Sequence, residues 1–135
     1  MKKLIVLFII SLSWMYTTGC NKNSNNSPSD TLLSTNEQNS LLFMREEEKL
    51  AFDIYTIMYE KWNLTPFSNI SSSEASHMAA VKTLLDRYKL KDPVQPGTGF
   101  FTNTTLQQLY NQLLQQGNVS VIESLKVGAA IEEID

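Results

Sequence analysis

Apolar side chains recur at helical intervals in four stretches of the chain, and no stretch of comparable length alternates with the period of a strand. Leu41, Leu42, Phe43, Leu50, Ile54, Ile57, Met58 and Trp62 mark the first, a helix expected over about 41–62 with Ser40 as its N-cap. The segment 63–69 contains Pro66 and reads as a break. Ile70, Ala75, Met78, Val81, Leu84, Leu85 and Tyr88 then predict a second helix over about 70–89, capped by Ser68 or Asn69. Pro93, Pro96, Gly97 and Gly99 make 91–101 a loop long enough to reposition the chain. A third helix is expected over about 104–116, with Asn103 before it, Leu106, Leu109, Tyr110, Leu113 and Leu114 on its inner side, and Gly117 as its stop. Ser120 and Glu123 fit a capping box that opens a last helix through Val121, Ile122, Leu125, Gly128, Ala129 and Ile131. The pattern therefore predicts an all-α bundle. Its last helix reaches Asp135 with no closing Gly, basic turn or Pro, so the bundle is expected to be C-terminally truncated or incomplete.

The first forty residues obey a different logic. Met1-Lys2-Lys3 is a positive n-region, and Leu4 to Tyr16 is an apolar run shorter than the roughly 20 residues a membrane-spanning helix needs. Residues 1–19 are accordingly expected to be a signal peptide. Thr17-Thr18-Gly19-Cys20 resembles the bacterial lipobox, with Thr17 departing from the usual Leu, and implies a covalent lipid on Cys20. Asn and Ser crowd the residues after Cys20, so 20–40 is read as a flexible tether and 41–135 as the folded domain. The expected location is the bacterial cell envelope, exported and lipid-anchored to a membrane.

Charge and composition narrow the functions. Fourteen acidic against eleven basic residues give a net charge of −3, and loss of Lys2 and Lys3 with the leader would make it −5. With no run of Lys or Arg, no nucleic-acid partner is expected. Cys20 is the sole cysteine, which excludes an intramolecular disulfide and leaves the folded part without a thiol.

Chemistry concentrates in Glu74-Ala75-Ser76-His77, because residues three apart on a helix lie side by side and can offer a carboxylate and an imidazole to one metal. The plain alternative is a surface Glu–His pair whose Glu favours the helix dipole. In the first helix, Glu46, Glu47 and Glu48 are consecutive, so at least one leans toward the apolar stripe; Glu48 lies on the line of Met44, Ala51 and Tyr55, and solvation explains the other two. In the last, Leu125, Gly128, Ala129 and Glu132 share a face, with Glu133 as the neighbouring alternative. A carboxylate on one helix, Glu-x-x-His on a second and a carboxylate on a third match part of a carboxylate-bridged dinuclear site in a four-helix bundle. A single His and no second Cys argue against a catalytic triad or a zinc cluster, and no Gly-rich phosphate loop precedes a helix. The aromatic residues read as core, with Tyr55 set apart as a hydrogen-bond donor to a carboxylate ligand.

Leu41 to Ala51, Phe67 to Ile70, Ser73 to Met78 and Leu125 to Glu133 resemble the ferritin-like domain-of-unknown-function family 2202, over about 41–135. The spacing of Glu48, Ala51 and Tyr55 is similar to the rubrerythrin-type first-helix signature, whose Glu is an iron ligand, which favours Glu48 over Glu47. The resemblance implies a ferritin-like antiparallel bundle with Glu48, Glu74, His77 and Glu132 as ligands of a di-iron or di-manganese centre. Family members continue into a further helix with another His-bearing motif, absent from this sequence; if the chain ends at Asp135 a partner or a homodimer would cover the apolar faces, and if it is a fragment the missing helix would. The alternative is a non-enzymatic helical interaction module that has the fold without a working metal site. No reaction is assigned.

Overall fold

The computed structural model describes residues 32–133; the signal peptide, Cys20 and most of the tether lie outside the described residues. Four helices succeed one another: α1 (Thr35–Trp62), α2 (Thr65–Arg87), α3 (Thr104–Gly117) and α4 (Val121–Glu132). There is no strand among the described residues, so the fold is all-α. None of these helices is long and apolar enough to cross a membrane.

α1 begins earlier than its apolar pattern. Ser34, not Ser40, is the N-cap: its hydroxyl accepts from Glu37 N at 3.3 Å, and Glu37 Oε2 accepts from Ser34 N at 2.7 Å. This capping box satisfies two otherwise orphaned backbone donors, and so the last residues assigned to the tether, 35–40, are helical although they are largely polar. α1 closes at Asn63, which is left-handed (φ 52°) and donates its N–H to Tyr59 O. Two residues later α2 starts, with Pro66 in its first turn, where no N–H is needed. Pro66 thus opens α2 rather than breaking the pattern. The earlier start turns Phe67 into a core residue whose ring centroid lies 6.1 Å from that of Tyr55.

The helices are ordered around α1. Arg45 reaches Met78 O while Tyr55 meets Phe67, so α2 runs antiparallel to α1. On α1's other flank, Glu46 bonds to the start of α3 and Trp62 to Gly117 at its end, which makes α3 parallel to α1. α4 returns antiparallel, taking Lys61 near Asn118 and Tyr55 near Gly128. Of the described helices, α2 lies close only to α1, whereas α3 and α4 pair with each other and both lean on α1. The core is α1's inner face, Leu50, Ile54, Tyr55 and Met58, closed by Phe67, Leu106, Tyr110, Leu113, Val127 and Ile131.

The N-terminal caps of α3 and α4 match expectation in part. Asn103 Oδ1 accepts from the backbone of Thr105 and Leu106. Ser120 caps α4, but Glu123 does not return the bond; its carboxylate pairs with Lys126 and Gln116. α4 is also rotated relative to the expected face. Ser124, Val127, Gly128 and Ile131 are buried, leaving Leu125, Ala129 and Glu132 exposed. The reason lies at Gly128, where a Cβ would come within 3.3 Å of the Tyr55 ring: the glycine admits the tyrosine, and the residues beside Gly128 on that side face the core.

Candidate metal centre

A two-residue link between two long helices sets α1 and α2 antiparallel, and this places Glu48 on α1 opposite Glu74 and His77 on α2. Ligand atoms of these three side chains lie within 4.8 Å of one another. His77 Nδ1 is 3.1 Å from Glu74 Oε2 and 3.3 Å from Glu48 Oε2. Bonds of about 2.0–2.2 Å from one cation to nitrogen and carboxylate oxygen span nearly that separation, so a small closure would let all three share an ion.

Burial grades across the group. Glu74 is only 3% exposed and Glu48 is half-buried, while the His77 side chain is 55% exposed and forms the solvent edge. Glu48 Oε2 is shielded from solvent and accepts no hydrogen bond; its contact with Nδ1 is an ion-pair approach, the ring's hydrogen bond going to Glu74. Burial alone would depress the His77 pKa, but the negative charges of Glu74 and Glu48, with the hydrogen bond to Glu74, outweigh it and hold it above the ordinary 6.5. Two carboxylates and one imidazole with a solvent-shielded, undonated oxygen form a donor set that suits a hard or borderline divalent cation.

Glu132 is not brought into this group. It is exposed at the end of α4, where its Oε1 lies 2.6 Å from Tyr55 Oη; Gly128 O is 3.0 Å from the same hydroxyl. With one proton to give, Tyr55 donates it best along the shorter, charge-assisted contact. Tyr55 is therefore a carboxylate donor two turns along α1 from Glu48, but to Glu132 and not to one of the three convergent residues. Glu47 is half-buried outside the group, and Glu133 is exposed at the α4 C-cap.

Four charged residues of α1 were not expected inside. Glu46 is 3% exposed, so solvation accounts for only part of the carboxylate run; its two oxygens accept from the backbone of Thr102 and Asn103 at the entry to α3. Arg45 is held by Asp92, and Lys49 is paired with Asp53, which also accepts from Gly99 N. The signal for them was their spacing: 45, 46, 49 and 53 continue the helical stripe of Leu50 and Ile54.

The chain is 47% identical over 104 residues to an uncharacterized protein of Methanocaldococcus jannaschii, covering 76% of this chain and 56% of that one. It thus spans about half the length of the curated relative it matches. No solved structure matches it. The model of an uncharacterized protein domain family, DUF2202, matches residues 37–135, which takes in nearly all of the four helices and the three convergent side chains, and the chain belongs to that family.

Proposed function

We propose that this chain is a ferritin-like, metal-binding protein of the bacterial envelope, holding iron or manganese through Glu48, Glu74 and His77 and tethered by a lipid on Cys20. The observation that carries the metal reading is Glu48 Oε2, a solvent-shielded carboxylate oxygen without a hydrogen-bond donor, facing the same imidazole nitrogen as the buried Glu74. An oxygen so shielded, with only the ion-pair approach of a half-exposed imidazole to offset its charge, is under-satisfied, and a cation would complete its set of partners. Oxygen-rich ligation with one imidazole suits iron and manganese. The ferritin-like assignment is supported by the all-α fold, the antiparallel α1–α2 pair and the Glu-x-x-His on its second helix. Glu132 would enter as a further ligand only if it left Tyr55. The envelope location is supported by the sequence of residues 1–20 alone.

The test is metal content and affinity. The full chain, reconstituted with Fe(II) or Mn(II) without oxygen and freed of excess ion, is expected to retain metal near stoichiometrically by mass spectrometry of the acid-digested protein. Glu74→Gln and His77→Ala are each expected to weaken retention at least tenfold. A folded wild-type chain that keeps no metal would sink this reading.

A second reading has its own observation. Ile122, Leu125 and Ala129 form an exposed apolar stripe on α4, with Ile122 67% and Leu125 48% exposed. That favours a helical interaction module, in which the stripe and not the carboxylates performs the function.

A further inference from the structure

The two nitrogens of the His77 ring have different neighbours. Nδ1 faces Glu74 and Glu48, while Nε2 lies 3.4 Å from Ser73 Oγ, one helical turn earlier. A cation shared with both carboxylates must take the Nδ1 lone pair, which leaves the ring proton on Nε2. Without a cation the carboxylates favour the opposite tautomer, with the proton on Nδ1. An acceptor at Nε2 therefore shifts the balance toward the form that can ligate.

We propose that Ser73 is a positioning residue for His77: its hydroxyl oxygen accepts the Nε2–H bond and holds the ring in the tautomer and rotation that present Nδ1 to a divalent cation between Glu48 and Glu74. The neighbouring serines differ from it. Ser71 and Ser76 donate back to the carbonyls of Ser68 and Ser72, the usual fate of a hydroxyl on a helix, whereas Ser73 is set against the imidazole. Ligating histidines generally have their second nitrogen fixed in this way, and loss of that partner costs about 10–100-fold in metal affinity. Ser73 and His77 both meet solvent, where water competes as acceptor, so the effect belongs at the lower end.

The proposal rests on the metal reading above, and the experiment separates the two. His77 is the only histidine, so the full chain labelled with ¹⁵N-histidine gives signals from one ring. Zn(II) is the probe, because it is diamagnetic and binds nitrogen and oxygen sites more tightly than Mn(II) or Fe(II). In the loaded wild type, the spectrum is expected to show metal on Nδ1 and a slowly exchanging proton on Nε2. Ser73→Ala should raise the Zn(II) Kd about tenfold and speed exchange of that proton, and Ser73→Thr, which keeps the hydroxyl, should restore both. Unfolding would not imitate this result, since Ala is the better helix former at an exposed position. Wild-type affinity and an unchanged Nε2–H signal in Ser73→Ala, or Zn(II) bound through Nε2 in the wild type, overturns the role of Ser73 and leaves the metal site standing. No uptake by the folded wild type removes the metal reading, and the role of Ser73 with it.

Discussion

Arg45 is almost wholly out of solvent, and what keeps its guanidinium there is Asp92, which takes bonds from Nε and Nη2, together with Met78 O, which accepts from Nη1. Burial would raise the Asp92 pKa, but the bonds from Arg45 and from Val94 N, with the charges of Arg45 and Lys82, hold it below 3.8. A carboxyl lowered on folding adds stability that is complete above its unfolded pKa and disappears as pH falls through the folded value. Asp92→Asn is therefore expected to cost on the order of 1–3 kcal/mol at neutral pH. Its difference from wild type should begin to shrink as pH falls below about 4 and vanish only once pH has passed through the lowered folded pKa, where Asp92 too is uncharged. Urea unfolding at neutral and acid pH checks this; an equal deficit at both would show that charge is not what Asp92 contributes. Glu46 shows why such residues escape a sequence reading. Its partners are backbone donors 56 and 57 residues away, so the spacing that puts it on the stripe of Leu50 and Ile54 gives no sign of what would satisfy a buried carboxylate there. Glu74 and His77 were legible because both members of that pair lie within one turn.

At the level of elements, ends proved legible where a cap coincides with the start of an apolar stripe, as at Asn103 and Ser120. Ser34-Thr35-Asn36-Glu37 carries an equally plain box, but the stripe begins only at Leu41, so periodicity placed the start of α1 six residues late. Pro66 misled for a related reason: a proline stops a helix it interrupts and suits one it begins, and only the burial of Phe67 distinguishes the two. Gly117, expected as a stop, also has a packing role. A Cβ there would come within 2.7 Å of Met58 Sδ and 2.8 Å of its methyl, in a fully buried thioether. Gly117→Ala is accordingly expected to lower stability by about 1–3 kcal/mol through overpacking, despite the better helix propensity of Ala. A denaturation midpoint at or above the wild-type value would mean that Met58 has room to move away.

For the whole molecule, periodicity tells which face of a helix is inward but not which helix covers it, and the arrangement of α2 and the α3–α4 pair on different flanks of α1 was not readable from the chain. That arrangement gives the proposed metal a mechanical consequence. α2 depends on α1 for its helical contacts, and Glu48 belongs to α1 while Glu74 and His77 belong to α2, so one ion would tie the two helices together. An ion that binds only the folded state at a hundred times its Kd adds about 2.7 kcal/mol of stability. For a domain of this size that corresponds to a rise in Tm of roughly 10–20 °C. Mn(II) should thus raise the Tm of the full chain and slow amide exchange along the facing turns of α1 and α2 around Glu48, Glu74 and His77. Exchange that precedes global unfolding in α3 and α4 should change little, because neither helix supplies one of the three ligands. His77→Ala should abolish the shift while leaving the metal-free Tm within a few degrees, since its side chain is largely exposed. A shift that persists in His77→Ala, or protection gained equally in all four helices, would place the ion elsewhere and deprive the α1–α2 pair of its proposed clamp.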